Sequence, residues 1–213
     1  MSDEAARVID LYERHAATWA RERGRDLVLE RSWLDRFQSL LRRHGAVLDL
    51  GCGSAEPIAR YLMQAGHTVT GVDSSPAMIA ICRQRFPPAD WPAADWPAAD
   101  WQVGDMRALD LKRTFDGIVA WDSFFHLARD DQRTMFPVFA AHAAPGAVLL
   151  FTSGPADGVA VGRYQGEPLH HASLDPQEYR ALLAQNRFAV EAHVAEDATC
   201  GGHTVWLCRK IDD

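Results

Sequence analysis

The chain has 213 residues, 47% hydrophobic and 24% charged, a composition that suits a globular protein with enough material for one sizeable core. A formal net charge of −7 with 22 scattered Lys and Arg residues argues against a nucleic-acid groove, and no apolar run approaches the roughly 20 residues of a membrane-spanning helix. The acidic opening Met1-Ser2-Asp3-Glu4 is unlike a signal peptide and points to a cytoplasmic protein, while Cys52, Cys82, Cys200 and Cys208 lack metal-type spacing and read as buried free thiols.

Two helical patterns come first. Val8, Leu11, Tyr12, His15 and Trp19 recur at helical spacing, as do Val28, Leu29, Trp33, Phe37, Leu40 and Leu41, with Gly24 and Gly45 as breaks. From Ala46 the pattern alternates strand and helix, which predicts a parallel sheet covered by helices. Strands are expected at Val47 to Leu50, Thr68 to Val72, Trp101 to Gly104, Gly117 to Trp121 and Val148 to Thr152. Gly66 should end the first intervening helix, Ser75-Pro76 open the second and Pro87-Pro88 close it.

Pro137 falls inside the periodic run Gln132 to His142 and should kink or split that helix, after which Pro145-Gly146 turns the chain into the fifth strand. Ser153 to Ser173 reads as a long loop without structure of its own. A last helix, Pro176 to Asn186, precedes two extended stretches, Phe188 to Val194 and Thr204 to Cys208, expected to form an antiparallel pair that closes the sheet.

Residues 87–101 hold a five-residue unit in tandem, Pro-Pro-Ala-Asp-Trp followed by two copies of Pro-Ala-Ala-Asp-Trp. Its period is far too short for a solenoid, and it reads as an inserted surface loop.

The most telling stretch is Val47-Leu48-Asp49-Leu50-Gly51-Cys52-Gly53-Ser54-Ala55-Glu56-Pro57. A buried strand leads into a glycine turn that bares its backbone, and Pro57 fits the first turn of the helix that follows. A dinucleotide site wants glycine at the sixth position of the turn, where this chain has Glu56, whose carboxylate would face a pyrophosphate. No Lys-Ser or Lys-Thr pair follows to make a phosphate loop, so a nucleoside bearing an amino acid fits better.

With these motifs in place, the chain over residues 45 to 210 resembles a class I S-adenosylmethionine-dependent methyltransferase of the small-molecule type. The resemblance implies a Rossmann-like, doubly wound α/β fold: a seven-stranded, mostly parallel sheet with an antiparallel last strand, helices on both faces and an amino-terminal helical cap. It implies one domain, with residues 1–44 as cap or lid, 45–152 as the cofactor-binding half and 153–213 as the substrate-side loop and closing strands.

By that match Gly51, Cys52 and Gly53 lie against the methionine portion of S-adenosylmethionine and Asp49 orients the turn or bonds the amino group; Ala55 stands where a third glycine is common. Asp73, 22 positions after Gly51, takes the place of the carboxylate that accepts from both ribose hydroxyls, with Ser74 beside it. Gly104-Asp105-Met106 resembles the adenine step, Asp105 accepting from the exocyclic amine and the Met106 N–H meeting the ring.

Trp121-Asp122-Ser123-Phe124-Phe125-His126 leaves the fourth strand toward the transferred methyl group. Trp121 belongs to the implied cofactor set and Asp122 to the substrate set. His126 is the candidate general base, although methyl transfer from a sulfonium needs mainly alignment, and a packed structural histidine is the competing reading. Tyr12, Trp19 and Arg23 share one helical face and are expected to close over the cofactor. Arg163, Tyr164, His170 and His171 are substrate-contact candidates; the adjacent histidines have poor geometry for a metal ion, and none is expected.

The expected activity is methyl transfer from S-adenosylmethionine to an oxygen, nitrogen or carbon of a small acceptor, leaving S-adenosylhomocysteine, by a monomer or homodimer with no nucleic-acid or membrane partner. A non-catalytic cofactor-binding or regulatory protein, or a same-fold enzyme using the cofactor for another reaction, are the alternatives.

Overall fold

A computed structural model of the chain describes residues 3–87 and 99–211. The expected surface loop at 87–101 falls, apart from its two ends, outside the described residues.

The chain opens with α1 (Asp3–Glu22) and α2 (Arg31–Leu40). The second is shorter than its apolar pattern predicts, because Val28, at 79% exposed, and Leu29 lie in the link before it. Then come β1 (Ala46–Leu50), α3 (Ile58–Gln64), β2 (Thr68–Asp73), α4 (Pro76–Arg85), β3 (Ala99–Val103), β4 (Phe115–Ala120), α5 (Arg129–His142) and β5 (Ala143–Ser153). A hairpin, β6 (Gly158–Tyr164) and β7 (Glu167–Ser173), precedes α6 (Pro176–Gln185), β8 (Phe188–Asp197) and β9 (His203–Lys210).

The seven-stranded sheet has the order β3-β2-β1-β4-β5-β9-β8, and β9 runs antiparallel to both its neighbours while the other pairs are parallel. Side chains alternate across it, so β1 splits its apolar residues between two cores. Val47, with Val69, Val119 and Leu150, packs under α2, α3 and α4 through Trp33, Phe37, Leu62 and Ile79. Leu48 and Leu50, with Ile118, Leu149 and Trp206, pack under α5 and α6 through Phe136, Phe139, Tyr179 and Leu183. The expected doubly wound α/β fold is observed, and all four cysteines are buried and free.

Several punctuation marks work as read. Ser75 caps α4 by accepting from the Met78 N–H at 3.0 Å, with Pro76 in the first turn. Three do not. Pro57 sits just before α3 instead of inside its first turn. Pro137 stays within a continuous α5: it is on the exposed side, while Met135, Phe136 and Phe139 are buried and hold the helix on the sheet. Pro145-Gly146 lies inside β5 as a bulge, since Phe115 pairs with Ala143 but Gly117 with Val148.

The largest correction concerns residues 153–173, which form the β6–β7 hairpin in place of a structureless loop. Its two-residue turn, Gln165-Gly166, has φ of 50° and 81°, the left-handed pair that matches the twist of a tight hairpin.

Candidate active site

The turn after β1 is tied to the end of β2. Gly51 and Cys52 donate their N–H groups to the Val72 carbonyl at 2.8 and 3.1 Å, and Gly53 donates to Asp73 Oδ2 at 2.9 Å. Asp73 Oδ1 accepts from the Ser75 N–H at 2.9 Å. Burial pushes the Asp73 carboxyl up to about 6 in spite of these two bonds, and burial together with the Asp73 charge pushes Asp49 up to about 7.

Two adjoining cavities open along the carboxyl ends of β1, β2, β3 and β4, where open α/β sheets bind their ligands. The larger is lined by Tyr12 and Trp19 of α1, by Gly51 and Gly53, and by Asp73, Ser74, Asp105, Met106, Asp122 and His126. The smaller takes Trp19, Arg23, Asp49, Cys52, Glu56, Trp121 and Asp122 among its walls. Every residue expected to hold the cofactor lines one of the two.

Their bonding holds some surprises. Asp105 accepts from the Arg107 N–H and guanidinium, which outweigh burial and hold its carboxyl below the usual range, and Arg107 also reaches Asp131 of α5 at 3.1 Å. Arg23 pairs with Glu30. Glu56 is buried among Arg25, Arg60 and Arg85, the last at 2.8 Å. The Trp121 indole N–H is buried and has no hydrogen-bond partner among the described residues.

His126 is fixed on both sides. Its Nδ1 lies 2.8 Å from the His170 carbonyl, which can only accept, so Nδ1 carries the proton and Nε2 accepts from the Tyr12 hydroxyl at 3.1 Å. Burial lowers its pKa from 6.5 to about 4 and raises that of Tyr12. The folded chain therefore favours neutral His126, and this group's contribution to stability is complete above pH 6.5 and is lost as the pH falls toward 4. The loss amounts to about 3 kcal/mol. Asp49 and Asp73, raised on folding, act with the opposite sign, so the measurement is a difference. Acid unfolding of His126→Gln, compared with wild type, should lose less stability between pH 6.5 and 4; parallel curves would refute the assignment.

The other expected substrate contacts are only partly at the site. His171 stacks on His126 with centroids 5.0 Å apart, and Tyr164 stacks on Tyr12 at 6.0 Å and meets Trp19 edge-on at 5.9 Å. Neither lines either of these two cavities. Arg163 points away and donates to the Gly166 carbonyl at the hairpin turn, and the His170 ring is buried off the cavities while its carbonyl holds His126. The hairpin grips α1 at the rim through Glu167 with Arg14 and His15, at 2.5 and 2.8 Å, and through Glu22 with Tyr164 and Gln165.

Three neighbours of the site escape the sequence reading, two of them because their partners are far along the chain. Glu13 of α1 accepts from Ser75 Oγ at 2.5 Å and from the Ala77 N–H at 3.0 Å, docking α1 on the start of α4. Arg107 carries no spacing signal. His203 of β9 donates from Nδ1 to the Cys200 carbonyl at 2.6 Å and from Nε2 to the Asp122 carboxylate at 3.1 Å, a double donor that Asp122 raises to a pKa of about 8. Among the described residues, no group of three or more His, Cys, Asp or Glu could hold a metal ion, and no helix is long and apolar enough to cross a membrane.

Residues 47–146 match the family model described as a methyltransferase domain. No curated relative matches the chain. Among solved structures, the chain is similar to magnesium protoporphyrin IX methyltransferase from Synechocystis PCC 6803 with bound SAM, at 18% identity over 99% of this chain and 98% of that one, with a TM-score of 0.71. The N-methyltransferase NodS from Bradyrhizobium japonicum WM9 in complex with S-adenosyl-L-homocysteine shares 19% identity over 99% and 100% of the two chains, with a TM-score of 0.70. CalS10, an amino pentose methyltransferase from Micromonospora echinaspora, shares 21% over 91% and 96%, with a TM-score of 0.67. At these identities the structures show the fold. Family model and fold together bear out the resemblance to class I methyltransferases read from the motifs.

Proposed function

We propose that the chain binds S-adenosylmethionine across the two cavities and transfers its methyl group to an oxygen, nitrogen or carbon atom of a small molecule. The observation that carries this reading is the convergence of all the expected cofactor residues on two joined cavities at one end of the sheet. The fit has a second support in Trp121, a wall residue of the smaller cavity whose buried indole N–H has no hydrogen-bond partner among the described residues. The similar magnesium protoporphyrin IX methyltransferase and the amino pentose methyltransferase CalS10, both with SAM bound, support a small-molecule acceptor.

Residues 45–152 then hold the cofactor, with 1–44 as cover and 153–213 on the acceptor side, in one domain. Asp73 accepts from the ribose hydroxyls, and Asp105, steadied by Arg107, faces the adenine with Met106. The glycine turn with Asp49, Cys52, Trp121 and Arg23 receives the amino-acid portion. When bound, the cofactor supplies an electrophilic methyl group.

The chain's own part is alignment and exclusion of water by Tyr12, Trp19 and the hairpin. His126 is neutral with Nε2 turned to Tyr12, so it takes up an acceptor's proton through the Tyr12 hydroxyl: the acceptor's proton passes to the Tyr12 oxygen as the Tyr12 proton passes to Nε2. Tyr164 and His171 shape the acceptor's entry. The acidic charge balance supports a small acceptor over a nucleic acid, and this reading includes a cytoplasmic monomer or homodimer.

Calorimetric titration with S-adenosylmethionine tests it. Saturable binding by wild type, weakened at least about 30-fold in Asp73→Ala by the loss of a charged acceptor worth about 2 kcal/mol, is expected. An absence of saturable heat with the wild-type protein would sink the reading.

A further inference from the structure

Four residues line both cavities: Trp19, Gly51, Gly53 and Asp122. On the reading above, the nucleoside occupies the larger cavity and the amino-acid portion the smaller, so the sulfur that joins them lies at this shared wall. Cofactor and product differ there and nowhere else. One carries a positive sulfonium, the other a neutral thioether, while ribose, adenine and the amino acid are the same in both.

Of the four, only Asp122 has an acidic side chain, and its hydrogen bonds hold it in place. His203 faces both carboxylate oxygens, at 3.1 and 3.2 Å, and bonds the Cys200 carbonyl with its other nitrogen. The Asp122 N–H donates to Thr152 Oγ1 at 2.9 Å, and the Thr152 hydroxyl lies 3.4 Å from Oδ1. His203 itself lines neither cavity, so the pair presents its negative end to the shared wall and its positive end to β9. The remaining titratable groups that sense Asp122 add no positive charge: burial disfavours the protonated form of His126 and His171 and the ionised form of Tyr12. Asp73 and Asp105 face parts of the ligand that do not change.

We infer that Asp122, oriented by His203, makes the site discriminate by charge at the sulfur, favouring the cationic cofactor relative to its neutral demethylated product. A carboxylate at this wall stabilises a sulfonium and gains nothing from a thioether, so release of the product is assisted by the loss of the charge that the carboxylate held.

This inference rests on the proposed cofactor site, and its test separates the two. Asp122→Asn removes the charge while keeping a side-chain oxygen for His203, and asparagine tolerates the φ of 48° that this position adopts. Dissociation constants are measured by calorimetry for S-adenosylmethionine, S-adenosylhomocysteine and sinefungin, whose amine replaces the sulfonium with a cation that is not transferred. In the variant, the two cations should weaken about tenfold while S-adenosylhomocysteine changes less than twofold, and retained binding of the neutral ligand shows that the site is still folded. Equal changes for all three, or no change for the cations, overturn the inference and leave the cofactor site standing. If wild type binds none of the three, the proposed function itself fails, and this inference with it.

Discussion

Gly51→Ala is expected to lose cofactor binding altogether and to melt about 10 °C lower, the result of roughly 3 kcal/mol or more of combined strain and overpacking in a chain of this size. Two independent facts produce the effect. Gly51 has a φ of 72°, in the left-handed region that alanine enters only at a cost, and a Cβ there would stand 2.3 Å from Ser123 Cβ. Ser123 has nowhere to go. Its hydroxyl donates to the Leu50 carbonyl at 2.7 Å, and the next residue, Phe124, is fully buried. Any relief must therefore displace the turn itself, whose N–H groups hold Val72 and Asp73 in place. Gly146→Ala provides the internal comparison: it has the same φ, but nothing lies within 4 Å of its added methyl. That variant should lose about 1 kcal/mol and keep cofactor affinity. Thermal unfolding and titration of both variants decide the matter; equal melting temperatures would refute the steric argument.

The second large effect is expected beneath the same segment. Phe124 is fully buried and meets Phe151 at 5.3 Å, Phe139 at 5.8 Å, Phe136 at 6.0 Å and Tyr179 at 6.1 Å, so it joins β5, α5 and α6 at one point. Truncation to alanine leaves a cavity bounded by aromatic rings that cannot collapse without moving the sheet, at about 3–5 kcal/mol. Ser123 and His126 flank Phe124 on the same short turn, Phe124–His126. Phe124→Ala should therefore lose cofactor affinity as well as stability, whereas Phe124→Leu, which fills most of the space, should lose less than half as much of each. Denaturant unfolding measures the first quantity and calorimetry the second. A truncation worth under about 1 kcal/mol would show that the cluster repacks freely.

The cofactor half was the most legible part of the chain, for a physical reason: its signals are local. A buried parallel strand is an apolar run, a turn that exposes backbone needs glycine, and Ser-Pro opens a helix within four residues. Asp73 and Asp105 were readable because strand ends fix where they emerge. The hairpin was missed because a two-stranded ribbon lying on α1 buries too little of either face to show clean alternation; Val159 and Val161 are more than half exposed while His170 is buried. Its Gln-Gly turn was the available cue. Pro137 misled because helix disruption by proline depends on which side of the helix faces water, a property of packing and not of sequence. His203 and Glu13 act on partners 81 and 62 residues away, and only the folded sheet brings them together.

Helix α1, which lines the larger cavity, and the β6–β7 hairpin packed on it come from residues 3–22 and 158–173, both outside the 47–146 stretch that matches the methyltransferase model. This pair joins the rest of the fold through side chains such as Glu13, bonded at the start of α4, and Tyr12, bonded to His126, not through the ladder of the main sheet. This separation gives the two halves different freedom to diverge. Substitutions on the hairpin leave the main sheet's ladder and the glycine turn untouched, so homologous chains that keep the glycine turn should still accumulate unlike hairpins.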